Sequence, residues 1–218
     1  AIHAAVLLFG LSGLFGKWLT LSPLIIVLGR TFFAALTLGL FQAVTRKDEV
    51  SLSRVSLPLL VPGVLLALHW TAFFHSIQLS TVAIGLLTFS SYPIFTLLLE
   101  VCFSNTRWSY PMLVSAVLVA TGMVLIIPAH NSGGDVQKGI FFGLAAGLSF
   151  AILTIINKRL VQTYHSLLIA FYQNSVASLI LLPSFFFTET VITRNDLILL
   201  VLLGVICTGV AHTLFISG

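Results

Sequence analysis

HWTAFFHSIQLSTVAIGLLTFSSYPIFTLLLE, residues 69–100, reads as two apolar helices joined by a very short turn. Its first half carries His69, Trp70 and His75, and its second carries Ser90, Ser91, Tyr92, Pro93 and Glu100. A helix rises about 1.5 Å per residue, so roughly 20 apolar residues cross about 30 Å of hydrocarbon. Each half, with its apolar flank, reaches that length. Polar and ionisable groups are costly in lipid and normally face a protein interior or a wet cavity. The stretch therefore reads as two membrane spans that carry half of a polar site.

Outward from it the whole chain has the same character. Its 218 residues are 58% hydrophobic and 7% charged, with a mean hydropathy of +1.13. A soluble domain carries about 25% charged residues, so these charges are too few to coat a water-facing surface. The class is an all-α polytopic membrane protein. Eight stretches are long enough to span: 2–20, 24–44, 57–78, 82–104, 109–128, 137–157, 165–187 and 196–218. All are continuous apolar runs, which favours helices over the alternating pattern of an outer-membrane barrel. The first span lacks a basic start and a small-residue cleavage site, so it is not read as a signal peptide.

The net charge of +4 comes from residues scattered through short loops. It reports orientation and not nucleic-acid binding. Arg46, Lys47, Arg54, Arg107, Lys158 and Arg159 fall on one side, and Lys17, Lys138 and Arg194 on the other. The richer side is cytoplasmic by the positive-inside rule, which puts the N-terminus inside. Cys102 and Cys207 have no metal-ligand spacing and read as small apolar fillers. No metal, cofactor or catalytic set is expected.

The polar loop HNSGGD (130–135) divides two halves that repeat. SPLIIVLGRTFFAALTL (22–38) lies over SLLIAFYQNSVASLILL (166–182), LFGLSGLFGK (8–17) over AAGLSFAILT (145–154), and LHWTAFF (68–74) over VAHTLFI (210–216). An odd number of spans per repeat inverts the second copy, an arrangement that places a solute site near the midplane between repeats. The first repeat, 1–130, has five spans. The second, 137–218, shows three, and two more are expected after Gly218.

At LGRTFFAAL (28–36), STVAIGLLTFSSYPIFTLLLE (80–100) and LGVICTGVAHTLFIS (203–217) the chain resembles the drug/metabolite transporter superfamily, in its EamA-like branch of ten-helix permeases built from two inverted five-helix repeats. Pro93 supplies the central proline of that family's small-residue-rich fourth helix. SNTRWS (104–109) replaces the family's acidic-basic turn after that helix. The resemblance implies a secondary transporter in the inner (plasma) membrane of a prokaryotic cell. It would export amino acids, related metabolites or drugs by alternating access. Its partners are a small-molecule substrate and the lipid bilayer, with no nucleic acid, and the sequence leaves a homodimer open.

Depth counting gathers His69, Trp70, Ser90, Tyr92, Ser149, Gln173 and Asn174 near the midplane, with His212 somewhat towards the cytoplasm. These residues, with Arg30, form the expected substrate cavity. Each has a structural alternative. His69 either binds or titrates, or is a neutral histidine bonded between helices. Trp70 is cavity wall or packing, and so is His212. Arg30 is a fixed charge for carboxylates, or a structural arginine bonded to helix-end carbonyls. His69 and Glu100 are the candidates for proton coupling, although Glu100 lies about 18 Å from Arg30 along the membrane normal and can instead snorkel to the cytoplasmic face. Pro58, Pro62 and Pro93 can kink their spans. The glycine rows Gly10, Gly13, Gly16 and Gly139, Gly143, Gly147 suit close helix contact. No nucleotide-binding motif is present. An intramembrane enzyme and a non-transporting assembly partner are the alternative readings. The enzyme is disfavoured because HExxH is absent and His69 and His75 lie on different helix faces.

Overall fold

The computed structural model describes residues 2–45, 57–104, 110–126, 134–188 and 191–217. Arg46, Lys47, Arg54, Arg107, most of SNTRWS and most of HNSGGD lie outside them, and with them four of the nine basic residues used to orient the chain.

The described chain is a succession of helices: α1 (Ile2–Trp18), α2 (Pro23–Thr45), α3 (Leu57–Leu79), α4 (Val82–Phe89), α5 (Tyr92–Ser104), α6 (Tyr110–Ile126), α7 (Gly134–Leu160), α8 (Ser166–Leu181), a single turn α9 (Ser184–Phe187), and α10 (Arg194–Gly204). A π-helical segment, Val205–Val210, then leads into α11 (Ala211–Ile216). Helices dominate because hydrocarbon offers no partner for backbone N–H and C=O groups, and a helix answers both within itself. Among the described residues, six helical stretches are long and apolar enough to cross a membrane: Pro23–Val44, Pro58–Leu79, Val82–Cys102, Asp135–Leu160, Ser166–Phe187 and Arg194–Ile216. Eight spans were expected; the other two, α1 and α6, are 17 residues each in the described chain.

Helix limits follow local chemistry. Thr193 accepts from the Asp196 N–H at 3.2 Å while its own N–H donates to the Asp196 carboxylate at 3.0 Å. This reciprocal cap starts α10 two residues before the expected span. The span expected over 82–104 is interrupted. Pro93 has no N–H to offer the Phe89 carbonyl and disfavours helical geometry at Tyr92. The chain therefore turns at Ser90–Ser91, where both hydroxyls donate back, Ser90 to Leu86 O at 2.8 Å and Ser91 to Thr88 O at 2.6 Å. Pro93 becomes the second residue of α5, where a missing N–H is harmless. Pro62, in contrast, sits inside the continuous α3.

Two compact units emerge. The first comprises Ala1–Ala67 and Ile156–Gly218. In it α2 packs along α8 and α10, and α1 along α11. A core of Leu38, Leu59, Leu160, Ile169, Tyr172 and Ile216 fills the end of this unit near the α7–α8 turn. The second unit is Leu68–Ile155, where α6 packs on α4 and α5. Val117 and Leu118 on α6 remain exposed, in keeping with a peripheral helix.

The two glycine rows behave differently. A Cβ on Gly10 would meet nothing within 4 Å, so close contact is not its role. In the second unit a Cβ on Gly139 would come within 2.7 Å of Ser80, and one on Gly147 within 2.6 Å of the Ser91 hydroxyl. On Gly143 it would overlap the Thr88 hydroxyl. Gly143→Ala should lower stability by about 1–3 kcal/mol, because this packed site must spread. Thermal unfolding in detergent checks this, with Gly10→Ala as the unaffected control.

Candidate functional site

The expected site residues divide between the two units. In the second, His69 is fully buried on α3. Its ring lies 4.6 Å from that of Trp70, 5.2 Å from Phe89 and 4.8 Å from Phe150, centroid to centroid. Nδ1 is 3.0 Å from the Ala146 carbonyl of α7. A carbonyl only accepts, so Nδ1 carries the proton. The same carbonyl accepts from Ser149 Oγ at 3.0 Å. Trp70 is 3% exposed and packs edge-on against Phe73. Tyr92 stacks on Phe89 at 5.4 Å and meets Phe150 edge-on at 5.2 Å. Ser90 is exposed, its hydroxyl donating to its own helix. His69 is thus an interhelical hydrogen-bonding group inside a ring cluster.

Glu100, half-buried, lines a cavity of about 350 Å³ in the same unit with Tyr92, Pro93, Thr96, Val119 and Thr154. The Thr96 and Thr154 hydroxyls donate to carbonyls one turn back, at 2.8 Å each. Cys102 is exposed on α5, which departs from the filler reading, whereas Cys207 is buried as expected.

In the first unit Arg30 is fully buried. Its Nε donates to Thr208 Oγ1 at 2.9 Å, and a terminal nitrogen reaches the Cys207 carbonyl at 3.4 Å. Both acceptors belong to the π-helical segment and not to a helix end. Gly204 makes the approach feasible: a Cβ there would lie 2.8 Å from the Arg30 carbonyl oxygen and 2.6 Å from Phe33 Cβ.

A second polar group forms between α7, α8 and α11. Gln173 Nε2 donates to Asn157 Oδ1 at 2.6 Å. Asn174 Nδ2 donates to the Ala170 carbonyl at 2.8 Å and lies 3.5 Å from His212 Nδ1. An amide N–H facing Nδ1 places the ring proton on Nε2. All four side chains are at most 5% exposed. Four of their polar atoms have no hydrogen-bond partner: Asn157 Nδ2, Gln173 Oε1, Asn174 Oδ1 and His212 Nε2. Two are donors and two acceptors. Most serines and threonines in the spans bond their own helix, for example Thr31, Thr37 and Thr213. Amides and imidazoles cannot close that short loop on both ends, so these four atoms stay open.

Asn157 and Thr208 were not singled out from sequence. Asn157 sits beside Lys158 and Arg159 and looked like a span end, yet α7 runs on to Leu160. Thr208 gains its role only from the π-helical segment, which the apolar run does not announce. Among the described residues no cluster of three His, Cys, Asp or Glu side chains is placed to hold a metal.

Known proteins resemble this chain throughout. The EamA-like transporter family matches residues 1–127 and 137–218. An S-adenosylmethionine uptake transporter of Rickettsia conorii is 30% identical over 154 residues, 71% of this chain and 51% of that protein. One of Rickettsia bellii is 28% identical over 178 residues, 80% of this chain and 59% of that protein. An uncharacterized transporter of Archaeoglobus fulgidus is 27% identical over 147 residues, 67% of this chain and 52% of that protein. The chain spans about half the length of the curated relatives it matches. A solved crystal structure shares the fold, with a TM-score of 0.74 over 99% of this chain and 76% of that one, at 19% identity.

Replacing His69 by alanine opens a void inside the ring cluster. His69→Ala should cost about 2–5 kcal/mol, the range for large-to-small core changes. His69→Asn, which can still donate to Ala146, should cost less. Unfolding midpoints of the two variants in one detergent provide the comparison.

Proposed function

Since the chain belongs to the EamA-like transporter family, we propose that it forms part of a secondary carrier that takes up a small polar organic solute. The family and the names of the relatives point to a transporter and not an enzyme. The observation that carries the proposal is the set of four open polar atoms on Asn157, Gln173, Asn174 and His212. Each unanswered buried polar atom costs about 1–3 kcal/mol. A solute offering both acceptors and donors recovers that cost. Arg30 is assigned to holding the helix, and His69 and Trp70 to packing, because their bonds and ring contacts are internal. Ser90, Tyr92 and Ser149 are assigned no solute contact, because their hydrogen bonds and ring contacts are internal too.

The relatives named S-adenosylmethionine uptake transporters support that solute, or one of similar donor and acceptor content, and an inward direction. The direction replaces the outward one implied by the family resemblance. Alternating access between two inverted repeats is supported by the two separate stretches that match one family. The bilayer is the prokaryotic inner membrane, with the N-terminus cytoplasmic by the charge bias of the loops.

The test is accumulation of labelled S-adenosylmethionine by proteoliposomes holding the full-length protein. Asn174→Ala and His212→Ala should each slow uptake about tenfold, the equivalent of roughly 1.4 kcal/mol, at unchanged protein content. Full-rate uptake by both variants would remove the cluster from the site. Faster exit than entry in preloaded vesicles would reverse the direction.

A further inference from the structure

Between α10 and α11 the helix is underwound to take in one extra residue, and a buried charge is bonded to that point. Along Val205–Val210 the bonds span five residues, as π-helical segments do. The Ala211 N–H reaches back to the Ile206 carbonyl. Thr208 copies this spacing with its side chain, Oγ1 donating to the Leu203 carbonyl at 2.9 Å. The same oxygen accepts from Arg30 Nε at 2.9 Å. The next carbonyl back, of Cys207, faces the other arm of the guanidinium at 3.4 Å. One cation thus holds two neighbouring residues of the segment, both with buried side chains.

A π-helical segment holds one more residue than the α-helix it replaces. Conversion to α would rotate everything downstream by about 100°, the angle per residue implied by 3.6 residues per turn. His212 lies just downstream, facing Asn174. Its direction therefore depends on which register Val205–Val210 keeps. An α register would also carry Thr208 away from Arg30, and a buried guanidinium is costly unless hydrogen-bonded. Gly204 precedes the segment and Gly209 lies within it, and glycine tolerates such changes of backbone most easily.

We propose that Arg30 is a positioning residue: through Thr208 and the Cys207 carbonyl it holds the π register of Val205–Val210 and so aims His212 at Asn174. This assigns the intramembrane charge to register control and not to solute binding. Its importance for transport rests on the proposed role of His212, but the hold itself can be measured without any solute.

Cys207 lies within the segment and is 4% exposed, so its thiol reports whether the register is kept. Full-length protein in membranes, with Cys102→Ser and any cysteine outside residues 1–218 likewise replaced by serine, would be labelled with a membrane-permeant maleimide. Thr208→Val should raise the Cys207 labelling rate about tenfold, the scale set by losing a hydrogen bond to a charged group. Thr208→Ser keeps the hydroxyl and should label at the parent rate. Arg30→Lys should fall between them, since one ammonium cannot fork to both acceptors. Aiming is tested separately with His212→Cys in a Cys102→Ser, Cys207→Ala background, where Thr208→Val should again raise labelling and Thr208→Ser should not. Equal rates for Thr208→Val and Thr208→Ser at Cys207 would overturn the hold. Acceleration at Cys207 without acceleration at position 212 would overturn the aiming. Either result stands whether or not the carrier moves S-adenosylmethionine.

Discussion

Every polar group in this protein's spans must find its partner inside the protein. That constraint decides which side chains are ordinary and which stand out. Backbone groups meet it by staying helical. Thr31, Thr37, Thr88, Thr96, Thr154 and Thr213 meet it by bonding a carbonyl one turn back. His69 meets it across helices, through the Ala146 carbonyl. Arg30 meets it at the π-helical segment. The amides and the imidazole of Asn157, Gln173, Asn174 and His212 meet it only in part.

The Ser90–Ser91 break, the glycine row on α7 and the Arg30 attachment share one local logic. Each replaces a regular feature with a small residue or a hydroxyl. Serines close the turn that Pro93 imposes. Glycines at 139, 143 and 147 leave room for Ser80, Thr88 and Ser91. Gly204 lets α10 lie directly on the Arg30–Phe33 backbone. Close approach then fixes helix positions by shape, which matters because lipid supplies no hydrophobic drive between helices.

Much of this was legible in the sequence. The helical membrane class follows from composition and run length, and most span limits agree to within about three residues. Gln173, Asn174 and His212 could be singled out from sequence as polar groups inside the spans, and all three are buried; the structural alternative for Arg30 was named. What sequence could not show has a physical cause. Depth counting assumes 1.5 Å per residue in unbroken helices. It therefore misses the break at Ser90–Ser91 and the π-helical segment, both set by backbone bonds. It also ranks residues by level and not by direction. Counting assigns His69 and Trp70 to the level of the polar set, yet their rings pack against one another and Phe73. Gly10 shows the same limit, since its spacing suits contact but its neighbours are absent.

The enclosed ring cluster also has an optical consequence. Trp70 is 3% exposed with an imidazole 4.6 Å from its ring, whereas Trp18 on α1 is 56% exposed. The two indoles therefore sit in unlike surroundings, one dry and beside a group able to quench it, the other open to its medium. Light absorbed by Trp18 and by Trp70 is therefore re-emitted from distinguishable surroundings. The inner one changes colour and yield when α3, α4 and α7 part, so the molecule carries its own gauge of whether that half of the bundle is closed.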